Sequence, residues 1–175
     1  MAYFMGLEMF QTYEDLQIWE TVFKTYDIKS VMELGTGYGG MSVFFALQCY
    51  QRGMDFVTYD NVQSLFFDSG LPALLNIGKN FRNINIVGES EHWEVLNWIE
   101  KARRPLAIMV DNGDKRRDFR MVAPYTKPGD IIAVHDWEKE FFPEDVGDVK
   151  VEYIFKDVCD LRPSRDWRTI WFRRI

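Results

Sequence analysis

Ten residues, Val31-Met-Glu-Leu-Gly-Thr-Gly-Tyr-Gly-Gly40, constrain the fold more than any other stretch of the chain. Ile28 to Leu34 is a short apolar run carrying one acid, Glu33, near its end, and it has the length of a buried strand. Met41 to Tyr50 follows with apolar and helix-forming residues, which predicts strand, turn and helix in that order. Glycines at 35, 37, 39 and 40 permit a tight reversal and leave the main chain bare. Such a turn also aims the free N–H groups of the following helix at whatever binds beside it. Four glycines within six residues exceed what a plain turn requires, so a ligand site is expected here.

The choice of ligand depends on the acid. Gly35-x-Gly37-x-x-Gly40 satisfies the dinucleotide fingerprint, which makes NAD one reading. Glu33 lies two residues before the first glycine, where a carboxylate would repel a pyrophosphate and suit a cationic or hydroxylated ligand.

Apolar runs closed by an acid recur downstream. Asp55 to Asp60 reads as a second strand, and Asp60 lies 25 residues beyond Gly35, about one crossover unit. A carboxylate at the tip of the adjacent parallel strand can accept both ribose hydroxyls of a nucleoside; capping the next helix is the alternative. Asn61 to Asn80 then reads as a helix broken near Gly70-Leu-Pro72. Asn83 to Val87 is a third strand, followed by Gly88-Glu-Ser90 and a helix from Glu91 to Ala102 that Glu89 could cap. Pro105 to Asp111 is a fourth strand, and Asp114 to Ala123 a helix with Arg116, Arg117 and Arg120 outward and Phe119 inward. Ile131 to Val134 is a fifth, running into His135-Asp136-Trp137. Asp111 and Asp136 thereby fall at the carboxyl ends of neighbouring strands, the edge of an open α/β sheet that binds ligands. Lys150 to Phe155 and Trp167 to Phe172 alternate like an antiparallel pair, with 160–166 joining them. At the other end, Thr12 is placed to cap a helix over 13–26 whose inner face is Leu16, Trp19, Val22 and Phe23. Residues 1–10 form an apolar arm, either a cover over the cleft or simply an ordered extension. That arm and residues 137–149 are the stretches left to shape a substrate cleft.

A chain of 175 residues is read as one domain, with 1–27 as arm and first helix and 28–175 as the core. Aromatic residues make up 16% of it, enough to suggest that some line a cleft. A net charge of −6 argues against a general nucleic-acid or anionic-membrane binder. Cys49 and Cys159 lack metal-ligand spacing and read as buried free thiols in a reducing cytoplasm. The longest apolar runs are strand-sized, so neither a signal peptide nor a membrane span is expected.

The motif Glu33-Leu-Gly-Thr-Gly-Tyr-Gly-Gly40, with this order of strands and helices, resembles the class I S-adenosylmethionine-dependent methyltransferases from about Asp15 onward. The resemblance implies an α/β, Rossmann-like, seven-stranded sheet, mostly parallel with its last strand antiparallel and helices on both faces. It implies S-adenosylmethionine held by Glu33, Gly35, Thr36, Gly37, Tyr38 and Gly39, with Asp60 and Asn61 at the ribose. Glu89 and Ser90 would lie near the adenine amino group and Asp111 at the reacting end. Val110-Asp-Asn-Gly-Asp114, Ala123-Pro-Tyr-Thr-Lys-Pro-Gly-Asp130 and Val134-His-Asp-Trp137 resemble more narrowly the metal-dependent small-molecule O-methyltransferases, including the cephalosporin hydroxylase and macrolide-sugar groups. That likeness implies Mg²⁺ or another divalent ion on Asp111, His135 and Asp136. His135 stands where a carboxylate is usual, and imidazole suits Zn, Fe or Mn better than Mg²⁺. Without metal, His135 is the candidate general base. The expectation is a methyltransferase acting on oxygen of a small molecule, the acceptor being its partner, with a homo-oligomer left open. An NAD-linked oxidoreductase and a methyltransferase-like binding domain without turnover are the alternatives.

Overall fold

The computed structural model describes residues 2–61, 80–84, 89–160 and 168–175, apart from the side chains of 83 and 89–91. The N-terminal arm is a hairpin. Strands β1 (Ala2–Phe4) and β2 (Leu7–Met9) pair antiparallel, and Met5 and Gly6 between them have φ of 51° and 83°. Two positive φ values at the tip match the right-handed twist of the flanking strands.

Helix α1 (Tyr13–Thr25) opens with a capping box, in which the Asp15 N–H donates to Thr12 Oγ1 at 3.4 Å and the Thr12 N–H donates to Asp15 Oδ2 at 2.9 Å. It buries Ile18, Trp19, Val22 and Phe23, with Leu16 at the margin. Next come β3 (Ser30–Leu34), α2 (Gly40–Arg52) and β4 (Asp55–Asp60), the last with the bounds read from the sequence. β5 (Phe81–Asn83) begins two residues before the strand expected over Asn83 to Val87 and ends at Asn83, and residues 85–87 of that expected strand lie outside the described residues. The helix expected between Asn61 and Asn80 falls outside them as well. Helix α3 (Glu89–Lys101), β6 (Leu106–Val110), α4 (Lys115–Val122) and β7 (Ile131–His135) follow. The chain closes with β8 (Val151–Ile154), a short α5 (Lys156–Asp160) and β9 (Thr169–Arg174).

The main sheet has seven strands in the order β5-β4-β3-β6-β7-β9-β8. β9 pairs antiparallel with both β7 and β8, while every other pairing is parallel, as expected for a last strand inserted against the rest. From β3 the chain winds outward to β4 and β5, then returns to β6 on the other side, so the switch point lies between β3 and β6.

Strand parity decides which residues meet there. Val31, Phe56, Met109 and Ala133 pack in the core under α1 and α2, and Met32, Val57, Ile108 and Val134 in the core on the opposite face. Because side chains alternate, Glu33, Asp60, Asp111 and His135 continue the first set and reach the carboxyl edge on one face. The aromatic load goes mainly to the core. Trp19, Phe23, Phe45 and Phe56 cluster on the first face, and Phe119, Trp137, Phe141 and Phe172 on the second. Among the described residues, no helix is long and apolar enough to cross a membrane.

Candidate active site

The glycine turn is built by close approaches on three sides. Gly35 has φ of 103°, and a Cβ there would lie 2.4 Å from the Asp111 carbonyl oxygen, so the end of β6 runs across bare main chain. A Cβ at Gly40 would lie 2.8 Å from the Leu7 carbonyl oxygen and 2.7 Å from that of Glu8, which sets the hairpin against the start of α2. Gly37 (φ 51°) faces Phe10 with ordinary clearance, and Gly39 (φ 87°) caps α2. Phe10 and Tyr38 stand 5.7 Å apart across the mouth of the turn.

Beneath the turn lies a buried polar chain. Thr36 and Thr58 share a hydrogen bond of 2.6 Å, Thr58 Oγ1 donates to Glu33 Oε2 at 2.6 Å, and Ser42 from α2 donates to the same oxygen. Glu33 is 1% exposed, so it supports the turn from below and does not open onto the crevice. Burial outweighs those two hydrogen bonds and pushes its pKa up to about 8, with Asp111 and Asp60 adding to the rise. The carboxyl is therefore neutral at pH 7, and the charge that faces a ligand belongs to other residues.

A pH dependence of stability follows. Below an unfolded value of 4.5 both states hold the proton, whereas between 4.5 and about 8 only the unfolded chain releases it. Stability is lost as pH rises through that window, by on the order of 1.4 kcal/mol per pH unit. Glu33→Gln keeps an oxygen for Ser42 and Thr58 and removes this loss. Urea melts should find the variant close to wild type at about pH 5 and clearly more stable at about pH 8. Parallel curves for the two proteins would mean that Glu33 is ionised in the fold.

Asp60 is the carboxylate at the turn. It is 6% exposed, and its Oδ2 accepts the Gly37 N–H at 2.8 Å. Asn61 beside it is exposed. Glu89 and Ser90 fall in the first turn of α3, but their side chains lie outside the described residues.

Past the turn, Asp111, His135 and Asp136 converge, with one ligating atom of each within 4.8 Å of the others. His135 Nδ1 is 3.0 Å from Asp111 Oδ1 and 3.5 Å from Asp136 Oδ2. Gln11, at the end of the hairpin arm, donates from Nε2 to Asp111 Oδ2. Asp136 has a left-handed φ of 57°, a region that Asp tolerates better than most residues, and its carbonyl accepts the N–H groups of Lys139, Glu140 and Phe141. This tight fold-back seats Trp137 and Phe141 in the core and brings residues 138–140 beside the site.

One member of the cluster was not anticipated from the sequence. Lys115 is 8% exposed, with Nζ at 3.0 Å from both Asp136 Oδ2 and Glu140 Oε2 and 3.7 Å from Asp111 Oδ1. A signal existed, since Lys115 precedes the inward Phe119 by four residues and so shares its helix face. Three carboxylates, Asp111, Asp136 and Glu140, are thus set against three cations, Lys115, His135 and Lys139. Burial alone would lower the pKa of Lys115, but Asp111, Glu140 and Asp136 outweigh it and hold the ammonium above the usual lysine range. Burial likewise opposes charging of His135, yet Asp111 and then Asp136 push its pKa up to about 10. Burial would raise Asp136, but His135 and Lys115 hold it well below the usual carboxylate range. The two carboxylates beside His135 Nδ1 thus favour the protonated imidazole, which donates from both nitrogens. A cavity of about 260 Å³ opens over the cluster, bounded by Phe10 from the arm, Asn112 and Gly113 after β6, and Lys139.

No family model matches the sequence, and no curated protein sequence is significantly similar to it. Solved structures do match. The N160 form of CmcI with S-adenosylhomocysteine superposes with a TM-score of 0.69 at 16% identity, over 99% of this chain and 81% of that one. The D160 form of CmcI with magnesium and S-adenosylmethionine gives 0.70 at 14% identity, over 99% and 76%. An RNA methyltransferase from Salinibacter ruber in complex with S-adenosyl-L-homocysteine gives 0.55 at 12% identity, over 94% and 91%. Likeness at such identities is one of fold, and the fold is the Rossmann-like sheet of these methyltransferases.

Proposed function

We propose that the protein is an S-adenosylmethionine-dependent methyltransferase that acts on an oxygen of a small molecule. One observation carries the choice of ligand. Gly37 donates its N–H to Asp60 at 2.8 Å, so the turn's amide, which a dinucleotide pyrophosphate would need, is already satisfied by a carboxylate. A nearly buried carboxylate at that point repels a phosphate and attracts hydroxyl groups, which fits a nucleoside without phosphates. The S-adenosyl ligands bound by CmcI and by the Salinibacter protein on the same fold support the same choice.

The parts divide the work. The main chain of Gly35, Thr36, Gly37, Tyr38 and Gly39 would cradle the cofactor, Asp60 with Asn61 would accept its ribose hydroxyls, and Glu89 and Ser90 are placed by sequence to meet the base. When bound, S-adenosylmethionine supplies a methyl on a sulfonium, which leaves as a neutral thioether once an acceptor oxygen forms its bond to that carbon. The chain's own residues must then align the acceptor, exclude water and take the hydroxyl proton. Phe10 borders the cavity, and Asp111 is the carboxylate beside it that can accept the proton. Among the described residues the cavity over this cluster is of small-molecule size, which supports a small acceptor. We place the protein in the cytoplasm, where its two buried cysteines remain free thiols.

The donors a divalent ion needs are gathered in Asp111, His135 and Asp136, but they do not fit one as arranged. Lys115 and His135 already neutralise the carboxylates at ion-pair distance. Incubation with methyl-labelled S-adenosylmethionine and a panel of small phenols, sugars and amines tests the reading. Label should move to a hydroxylated acceptor, whereas label found only in amines would overturn the oxygen assignment.

A further inference from the structure

A lysine in the first turn of a helix is ordinarily a hydrated surface charge, and there it opposes the helix dipole. Lys115 is the first residue of α4, yet it is almost fully buried. Only the carboxylates around it compensate for that position. We propose that the Lys115 ammonium stands in for a divalent cation in this site, neutralising Asp111, Asp136 and Glu140, keeping metal ions out and offering an N–H to the acceptor oxygen. The contact with the acceptor rests on the methyltransferase reading; the exclusion of metal does not.

The geometry supports both halves. An ammonium has three donors. Asp136 and Glu140 at 3.0 Å engage two of them, while Asp111 at 3.7 Å is beyond hydrogen-bond length, so the third is available to an oxygen in the cavity that Lys115 lines. Charge argues against an additional metal. A dication held by Asp111, Asp136 and Glu140 would lie close to the ammonium that already contacts them and be repelled by it. A positively charged residue is tethered to the chain and needs no ion from solution, so the site is complete without loading.

The test is a binding measurement on the intact chain. Manganese is titrated into wild type and into Lys115→Met near pH 8, with the free-ion paramagnetic signal as readout. Wild type should take up no stoichiometric Mn²⁺ up to about 1 mM, and Lys115→Met should gain one site at least about tenfold tighter than that limit. Adding Asp136→Asn to Lys115→Met should remove the gained site, which locates it. Lys115→Gln serves if the methionine variant does not fold. A merely structural lysine would lose stability on substitution without gaining an ion. One Mn²⁺ bound per wild-type chain overturns the proposal, and so does a folded Lys115 variant that binds no better than wild type. S-adenosylhomocysteine is titrated into the same samples. If it fails to bind, the methyltransferase reading falls while the manganese comparison stands.

Discussion

Gly35→Ala should destabilise the protein by about 4 kcal/mol and lower its melting temperature by roughly 8–16 °C. Two costs coincide at this residue. Its φ of 103° is a conformation that a side chain adopts only under strain, and the added methyl would sit 2.4 Å from one backbone atom of Asp111 and 2.6 Å from another. Backbone cannot swing aside as a flexible side chain would, so either the turn or the end of β6 must shift. Both carry the site, and cofactor binding should fail together with stability. Gly37→Ala gives the contrast. Its φ of 51° is accessible at modest cost, and its Cβ would meet only the Phe10 ring, at 3.5 Å. The fold should survive that change while the space kept open for the ligand narrows. Thermal melts of both variants, with and without S-adenosylhomocysteine, separate the two roles, and equal stability loss at both positions would contradict this account.

Asp136→Asn should cost about 3 kcal/mol near neutral pH, because it leaves two nearly buried cations, Lys115 and His135, with one compensating carboxylate fewer. Asparagine tolerates the left-handed backbone at this position, so the loss reports charge and not shape. The sign with pH is fixed by the lowered pKa of Asp136. Its stabilisation is present above the unfolded value of 3.8 and is lost as pH falls through the folded one, so the gap between variant and wild type should persist from pH 7 to about pH 4 and close only in stronger acid. The melting temperature should fall by roughly 6–12 °C at neutral pH. A change within about 1 °C would show that Asp136 is unpaired in solution.

Much of this architecture is legible in the residues because apolar runs of strand length are punctuated by glycine or an acid. β4 closes at Asp60 and β7 runs into His135-Asp136 for that reason, and strand parity then brings Glu33, Asp60, Asp111 and His135 onto one face. The hairpin is not legible. Its strands are three residues each, and what holds them is main-chain contact with Gly40 together with the packing of Phe4 on Phe44, neither of which leaves a pattern in sequence. Glu33 is found at its expected place in the strand, but its neutrality depends on α2 and β4 closing around it, a tertiary fact. Lys115 reads as part of a solvated Lys-Arg-Arg run, and only its helical spacing from Phe119 marks it as internal. The aromatic content misleads, since most of the rings serve the two cores and Phe10 alone among them borders the cavity within the described residues.

Which ligand the glycine turn binds is decided by calorimetric titration of the wild-type chain with S-adenosylhomocysteine and, separately, with NADH. One S-adenosylhomocysteine site per chain is expected, with no heat from NADH and loss of the site in Gly37→Val. Saturable binding of NADH with none of S-adenosylhomocysteine would contradict the methyltransferase reading.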